Sequence, residues 1–156
     1  MAGRIEAKLA ELGITLPPAG KPMANYVPTT ISASKLVVIS GQVPLIDGKI
    51  AFTGKLGDTV SVEQGQESCR VCFLNVLAQL REAAGGDLDR VKQVLRLGGF
   101  IASVPGFTQQ AMVMNGASDL CVAVFGDSGR HARTTIGVPV LPGDAATEVE
   151  ALVELA

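Results

Sequence analysis

The chain has 156 residues, 47% of them hydrophobic and 4% aromatic, with a formal net charge of −2. That length suits one domain able to bury a core without staples, and the composition excludes a disordered chain. The slight acidity excludes the overall basic footprint of a nucleic-acid binder, and no apolar run approaches the ~20 residues needed to span a bilayer.

In chain order, Ile5, Leu9 and Leu12 fall at i, i+4 and i+7 with charges between them, which predicts a short amphipathic helix ended by Gly13. Glu6 and Glu11 and the lack of an apolar run up to Gly13 argue against a secretory leader, so a cytoplasmic location is expected. Pro17 to Pro22 is an extended linker. Asn25 to Ile31 reads as an edge strand interrupted at Pro28, and Leu36 to Ile39 as a buried strand running into Ser40-Gly41-Gln42. Asp47-Gly48 signals a hairpin.

Ser61 and Gln64 form a capping box ahead of the strongest helical pattern, in which Cys69, Cys72, Phe73, Val76, Leu77 and Leu80 share one face. Gly85-Gly86 ends it. Val91 to Ile101 is a strand whose Gly98-Gly99 pair signals a bulge or a close backbone approach. Thr108 is the expected cap of a further helix, with Val113, Ala117, Leu120, Cys121 and Val124 inward and Gly126 at its end. Two strands joined by Leu141-Pro142-Gly143-Asp144 close the chain. Two helices on one face of a mixed sheet make an α+β two-layer sandwich. No internal repeat or second domain is visible, so residues 1–156 are taken as one domain with an N-terminal extension over 1–25.

In the first of the closing strands, Thr134, Ile136, Val138 and Val140 share one face, and Arg133, Thr135, Gly137 and Pro139 the other. A guanidinium beside small residues outlines a place for a small anion, because its planar fork fits a carboxylate with two hydrogen bonds. The alternative is a surface arginine paired with a neighbouring acid or with solvent. By the same period, Glu148 shares a face with Glu150, opposite Val149, Ala151 and Val153.

Three segments together carry a resemblance: Ala132-Arg133-Thr134-Thr135-Ile136-Gly137-Val138-Pro139-Val140-Leu141-Pro142 with the later Glu148-Val149-Glu150-Ala151; Val37-Val38-Ile39-Ser40-Gly41-Gln42-Val43-Pro44; and Asn115 to Leu120 with Phe125-Gly126 and Gly129 to Arg133. They resemble the RidA family of reactive intermediate deaminases, also called YjgF or L-PSP, in a longer-chain subgroup with an N-terminal extension. The likeness runs from about Tyr26 to Val153. It implies a chorismate-mutase-like fold with three subunits packed into a trimeric barrel. It implies clefts between subunits and hydrolytic deamination of enamine or imine intermediates to a 2-oxo acid and ammonia.

In that reading Arg133 holds the substrate carboxylate and Glu148 orients water. Tyr26 stacks on or hydrogen-bonds a planar substrate, Ser40, Gly41 and Gln42 form the cleft floor, and Asn115 contributes from the neighbouring helix. Beside these roles stand plainer ones: an outward strand acid for Glu148, an amphipathic boundary residue for Tyr26, local helix geometry for Asn115. Thr135 stands where many deaminase members carry Cys, and Gly137 is expected to leave extra room in the site.

No metal or organic cofactor is expected, and neither membrane nor nucleic acid is an expected partner. Cys69-Arg70-Val71-Cys72 with Cys121 and His131 could formally make a zinc set, but the first two sit at core positions of a helix, where free Cys acts as a small hydrophobe. A single His leaves no nucleophile triad with candidates to spare, and no phosphate-binding glycine loop is present. Two other functions remain open: a non-catalytic binder of small carboxylates, and an endoribonuclease.

Overall fold

The computed structural model describes residues 3–22 and 24–156; Met1 and Ala2, where the leader reading begins, and Met23 lie outside the described residues. A five-stranded sheet has the order β1 (Thr29–Ile31), β2 (Leu36–Gln42), β7 (Thr147–Leu155), β5 (Val91–Ala102), β6 (Ala132–Val138). Neighbours are antiparallel except β5 and β6, which run parallel. The parallel pair needs a crossover, and α3 (Gln110–Phe125) supplies it. β3 (Leu45–Ile46) and β4 (Lys49–Ile50) form a separate hairpin, with Asp47 and Gly48 at φ 50° and 76° as a primed turn requires.

β7 alternates strictly: Thr147, Val149, Ala151, Val153 and Leu155 are buried, whereas Glu148, Glu150, Leu152 and Glu154 are half-buried on the other side. The buried side faces α2 (Val62–Ala83), and α3 continues the same layer over β5 and β6. The capping box forms: the Gln64 N–H donates to Ser61 Oγ at 3.1 Å, and the Ser61 N–H to Gln64 Oε1 at 2.9 Å. Every apolar position read onto α2 is buried. The two helices touch at Gly116, where a Cβ would strike the backbone carbonyl of Gln66. The paired glycines of β5 serve close approach: side chains there would meet Glu150 on one face and Met114 on the other. The register irregularities of β5 against β7 lie earlier, between Val91 and Arg96.

Two local expectations are corrected. Thr108 does not cap α3, whose N-cap is Gln109 without a side-chain bond. The preceding turn is closed instead by the Phe107 N–H on Val104 O and by Gln110 Nε2 on Phe107 O. Leu12 is 38% exposed, because α1 (Arg4–Glu11) ends before it and only Ile5 and Leu9 reach the core. Among the described residues no helix is long and apolar enough to cross a membrane.

α1 is too short to be stable alone, and its start is tied down by one carboxylate. The Arg4 and Ile5 N–H groups donate to the two oxygens of Asp89, each at 2.7 Å. Asp89 belongs to the single turn Leu88–Arg90 that leads into β5. These amides, Ile5 first, hold its carboxyl below the ordinary 3.8. A depressed folded pKa gives stability that is present above the unfolded value and is lost as the pH falls through the folded one. Amide exchange at Arg4 and Ile5 should therefore accelerate in Asp89→Asn at neutral pH, and in the wild type only below about pH 4. Exchange that is unchanged in the variant would show that core packing alone holds α1.

Candidate functional site

Arg133 lies on the helix-covered face at the open edge of the sheet, opposite Leu97 of β5. Three groups of α3 grip it. Nη1 donates to Asn115 Oδ1 at 2.8 Å and to Ser118 Oγ at 3.1 Å, and Nη2 donates to Ala111 O at 3.1 Å. Positions 111, 115 and 118 fall on one side of the helix, so the guanidinium lies along it. Among the described residues no carboxylate pairs with Arg133. Of its five donors, Nε–H and one Nη2–H stay open. A charged fork is thus held in place while one planar edge remains available to an anion.

Thr135 follows on the same face, and its Oγ1 is buried with no hydrogen-bond partner among the described residues. An unsatisfied buried hydroxyl is costly. Gly137 does not open extra room, contrary to expectation. A Cβ there would come within 2.8 Å of Ser103 Oγ and 2.9 Å of Gln110 Nε2, so these side chains already fill the space.

A second cluster forms at the other side of the sheet. Ser40 Oγ donates to Val27 O at 3.0 Å, and Gln42 Nε2 donates to Ser40 O at 2.9 Å. The register between β2 and β7 shifts between Ile39 and Gln42, which puts Gly41 in the irregular stretch. A Cβ at Gly41 would fall on Glu148 Oε1, so the glycine makes the berth for that carboxylate. Tyr26, half exposed, borders the same small hollow as Gly41 and Gln42. Burial first, then the charge of Glu150, pushes the Glu148 carboxyl above its ordinary 4.5. Glu150 itself meets Arg96 Nη1 at 3.3 Å.

One protomer does not bring the two clusters together. Glu148 lies opposite Phe100, which lies opposite Ile136, and alternation puts these on the face away from Arg133 and Thr135. β2 and β6 are also separated by β7 and β5, three strand spacings of ~4.8 Å. The residues read from sequence therefore divide into Arg133, Thr135 and Asn115 at the β6 edge, and Tyr26, Ser40, Gly41, Gln42 and Glu148 around β2 and β7; in the second set Glu148 faces the open side, whereas Gln42, opposite the buried Val149, lies on the helix-covered one.

Two residues not singled out for the site join the first group. Ser118 touches Arg133 and, at 2.9 Å, His131 Nε2. The signal for Ser118 was its helical spacing from Asn115, in a helix whose other polar side chains are Gln110 and Asp119; His131 carried none. All three cysteines are buried. Cys69 and Cys72 lie against Thr147, Cys121 Sγ donates to Gly129 O at 3.3 Å, and burial, opposed by Thr147 and the Arg133 charge, pushes the Cys69 thiol up to about 12.

A family model described as "YjgF/chorismate mutase-like, putative endoribonuclease" matches residues 6–155. The chain belongs to this family. Protein TCP17 of Trypanosoma cruzi is 51% identical over 155 residues, covering 99% of this chain and 96% of its own. The structure of Atu1372 from Agrobacterium tumefaciens, a protein of unknown function, superposes with a TM-score of 0.91 at 48% identity, covering 97% of this chain and 92% of that one. A "putative endoribonuclease" from Shewanella oneidensis gives 0.93 at 35% identity, covering 98% and 100%. The α+β sandwich described above is therefore the YjgF/chorismate mutase-like fold, with all of α1 but Arg4 and Ile5 within the matched length.

The berth at Gly41 gives a local test. The atom in the way of a methyl group is the far end of a flexible side chain, so Gly41→Ala should fold while turning the Glu148 carboxylate away from the strand. The carboxyl resonance of Glu148 should then titrate closer to an ordinary glutamate. A titration identical to wild type would show that Gly41 does not hold the carboxylate where it is.

Proposed function

We propose that the protein hydrolyses enamine or imine intermediates of amino-acid metabolism to 2-oxo acids and ammonia, at clefts completed between copies of the chain. The observation that carries this reading is the guanidinium of Arg133, fixed by α3 yet unpaired with any acid among the described residues, with Nε–H and one Nη2–H open. Such a fork suits the carboxylate that these substrates share. The unpartnered Thr135 hydroxyl lies on the same face.

The separation of Arg133 from Glu148, on opposite faces and two strands apart, supports a cleft between copies. β6 is an edge strand, and among the described residues the open face of the sheet has no second layer, leaving Val38 and Ile136 about half exposed beside Phe100 and Leu152. A homotrimer with three sheets closed into a barrel would cover that face. It would also set Arg133 of one copy near Glu148 and Tyr26 of the next. A particle of three times the 16.1 kDa chain mass is expected in solution.

The chemistry asks mainly for positioning. The enamine takes a proton from solvent at carbon and becomes the iminium. Water adds to the iminium carbon as Glu148 accepts a proton from it, giving a carbinolamine. The same proton passes to nitrogen, the C–N bond breaks, and ammonia leaves as the hydroxyl returns its proton to solvent and the carbonyl forms. No electron is gained or lost overall, so the sequence needs no redox cofactor. A glutamate whose proton affinity is raised by burial is suited to take and return that proton nearer neutrality.

The test is a coupled assay in which an amino-acid dehydratase generates the enamine and 2-oxo acid release is followed. Release should accelerate with the wild type, and Arg133→Ala should lose most of the gain, about a hundredfold or more if one charged contact positions the substrate. The acid limb of the rate profile should lie above pH 4.5, because the ionised carboxylate is disfavoured, and should disappear in Glu148→Gln. No acceleration by an intact oligomer, with tight binding of 2-oxo acids, would support a carboxylate-binding protein instead. RNA cleavage that survives Arg133→Ala and falls steeply with salt would support an endoribonuclease.

A further inference from the structure

The side chains of Arg133, Ser118 and His131 form a directed chain of hydrogen bonds. His131 Nδ1 lies 2.6 Å from Gly129 O, and a carbonyl only accepts, so Nδ1 carries a proton. In the neutral ring Nε2 then has its lone pair free, and the Ser118 hydroxyl, at 2.9 Å, donates to it. With its hydrogen committed there, Ser118 Oγ presents a lone pair to Arg133 Nη1 at 3.1 Å. Every donor points from the guanidinium toward the Gly129 carbonyl, and each bond polarises the next.

The far end of the chain is rigid. Gly129 O also accepts from Cys121 Sγ, and a Cβ at Gly129 would collide with the carbonyl of Cys121, so the Gly126–Gly129 turn lies against the α3 backbone. Gln93 Nε2 ties the next carbonyl, that of Arg130, at 2.7 Å. His131 and Arg133 are two apart on the extended segment entering β6 and so point the same way, with Ser118 spanning them from α3.

We infer that Ser118 and His131 are positioning residues for Arg133: they fix the roll of the guanidinium so that its Nε–Nη2 edge, rather than its end, receives a carboxylate. Asn115 and Ser118 together use both Nη1 hydrogens, which closes the end-on fork. The inference rests on the reading of Arg133 as a carboxylate site. It adds that the chain's single histidine is wired to that site and registers its occupancy.

One histidine makes the experiment direct, since its ring nitrogens give the only imidazole signals in a ¹⁵N spectrum of the intact oligomer. The free protein should show the Nδ1–H tautomer. Titration with 2-oxobutanoate should shift the Nε2 signal through Ser118. Ser118→Ala should weaken 2-oxobutanoate binding about fivefold to tenfold, the scale of one net hydrogen bond, and abolish the shift. Ser118→Thr, which keeps the hydroxyl, should restore both. An Nε2–H tautomer in the free wild type overturns the inference without recourse to any variant. Equal binding by wild type and a folded Ser118→Ala overturns the positioning role while leaving the carboxylate site intact. Failure of the wild type to bind removes the carboxylate reading and this inference with it.

Discussion

β7 runs between β2 and β5, and its strict alternation decides what each side of the sheet can be. Its odd positions must lie under α2, because Thr147, Val149, Ala151, Val153 and Leu155 have no other apolar surface to join. Its even positions, three of them glutamates, then necessarily face away. A slip of one residue would bury those glutamates and expose the core set, so the register is strongly specified. Once β7 is in place, Gly98 and Gly99 of β5 are needed to clear Glu150 and Met114, and Gly41 of β2 to clear Glu148. The berth of Glu148 against Gly41 is in this sense a by-product of core packing on the opposite face.

The same constraint separates the candidate chemistry. Arg133 belongs to the helix-covered face, where α3 can reach it with Asn115, Ser118 and a main-chain carbonyl. Glu148 belongs to the open face, where burial and a neighbouring carboxylate raise its proton affinity. An exposed arginine loses much of its charge strength to water, whereas one held in a fixed orientation keeps geometric selectivity for a two-oxygen anion. What the fold contributes at Arg133 is therefore orientation, and at Glu148 a shift in protonation.

Family membership and these geometries bear on different questions. The family match and the superpositions show which fold the chain adopts. A shared fold does not by itself assign a reaction, since chemistry resides in the site. Here the site-level facts are the open edge of a tethered guanidinium and, two residues on at Thr135, a hydroxyl without a partner among the described residues. They favour a small carboxylate over a polyanion, because a polyanion would call for an array of cations, and the slightly acidic chain has a net charge of −2.

Much of this was local and so readable from residue order. The α2 face from Cys69 to Leu80, its Ser61–Gln64 box, the Asp47-Gly48 turn and the two faces of the closing strands each depend on neighbours within a few positions. Short-range periodicity records such preferences directly. Arg133 stood out because its charge sits among small residues on one strand face. The places where local reading failed, the Thr108 cap and the room at Gly137, were decided by side chains arriving from elsewhere: Gln110 closing a turn, and Ser103 with Gln110 filling space. Tertiary structure alone inserted β7 between β2 and β5, sent β6 to the edge parallel to β5, and put Arg133 and Glu148 on opposite faces. It alone joined Ser118 to His131. Strand order and contacts between distant segments follow from which surfaces bury one another best, a property of the whole chain that no window of its sequence contains.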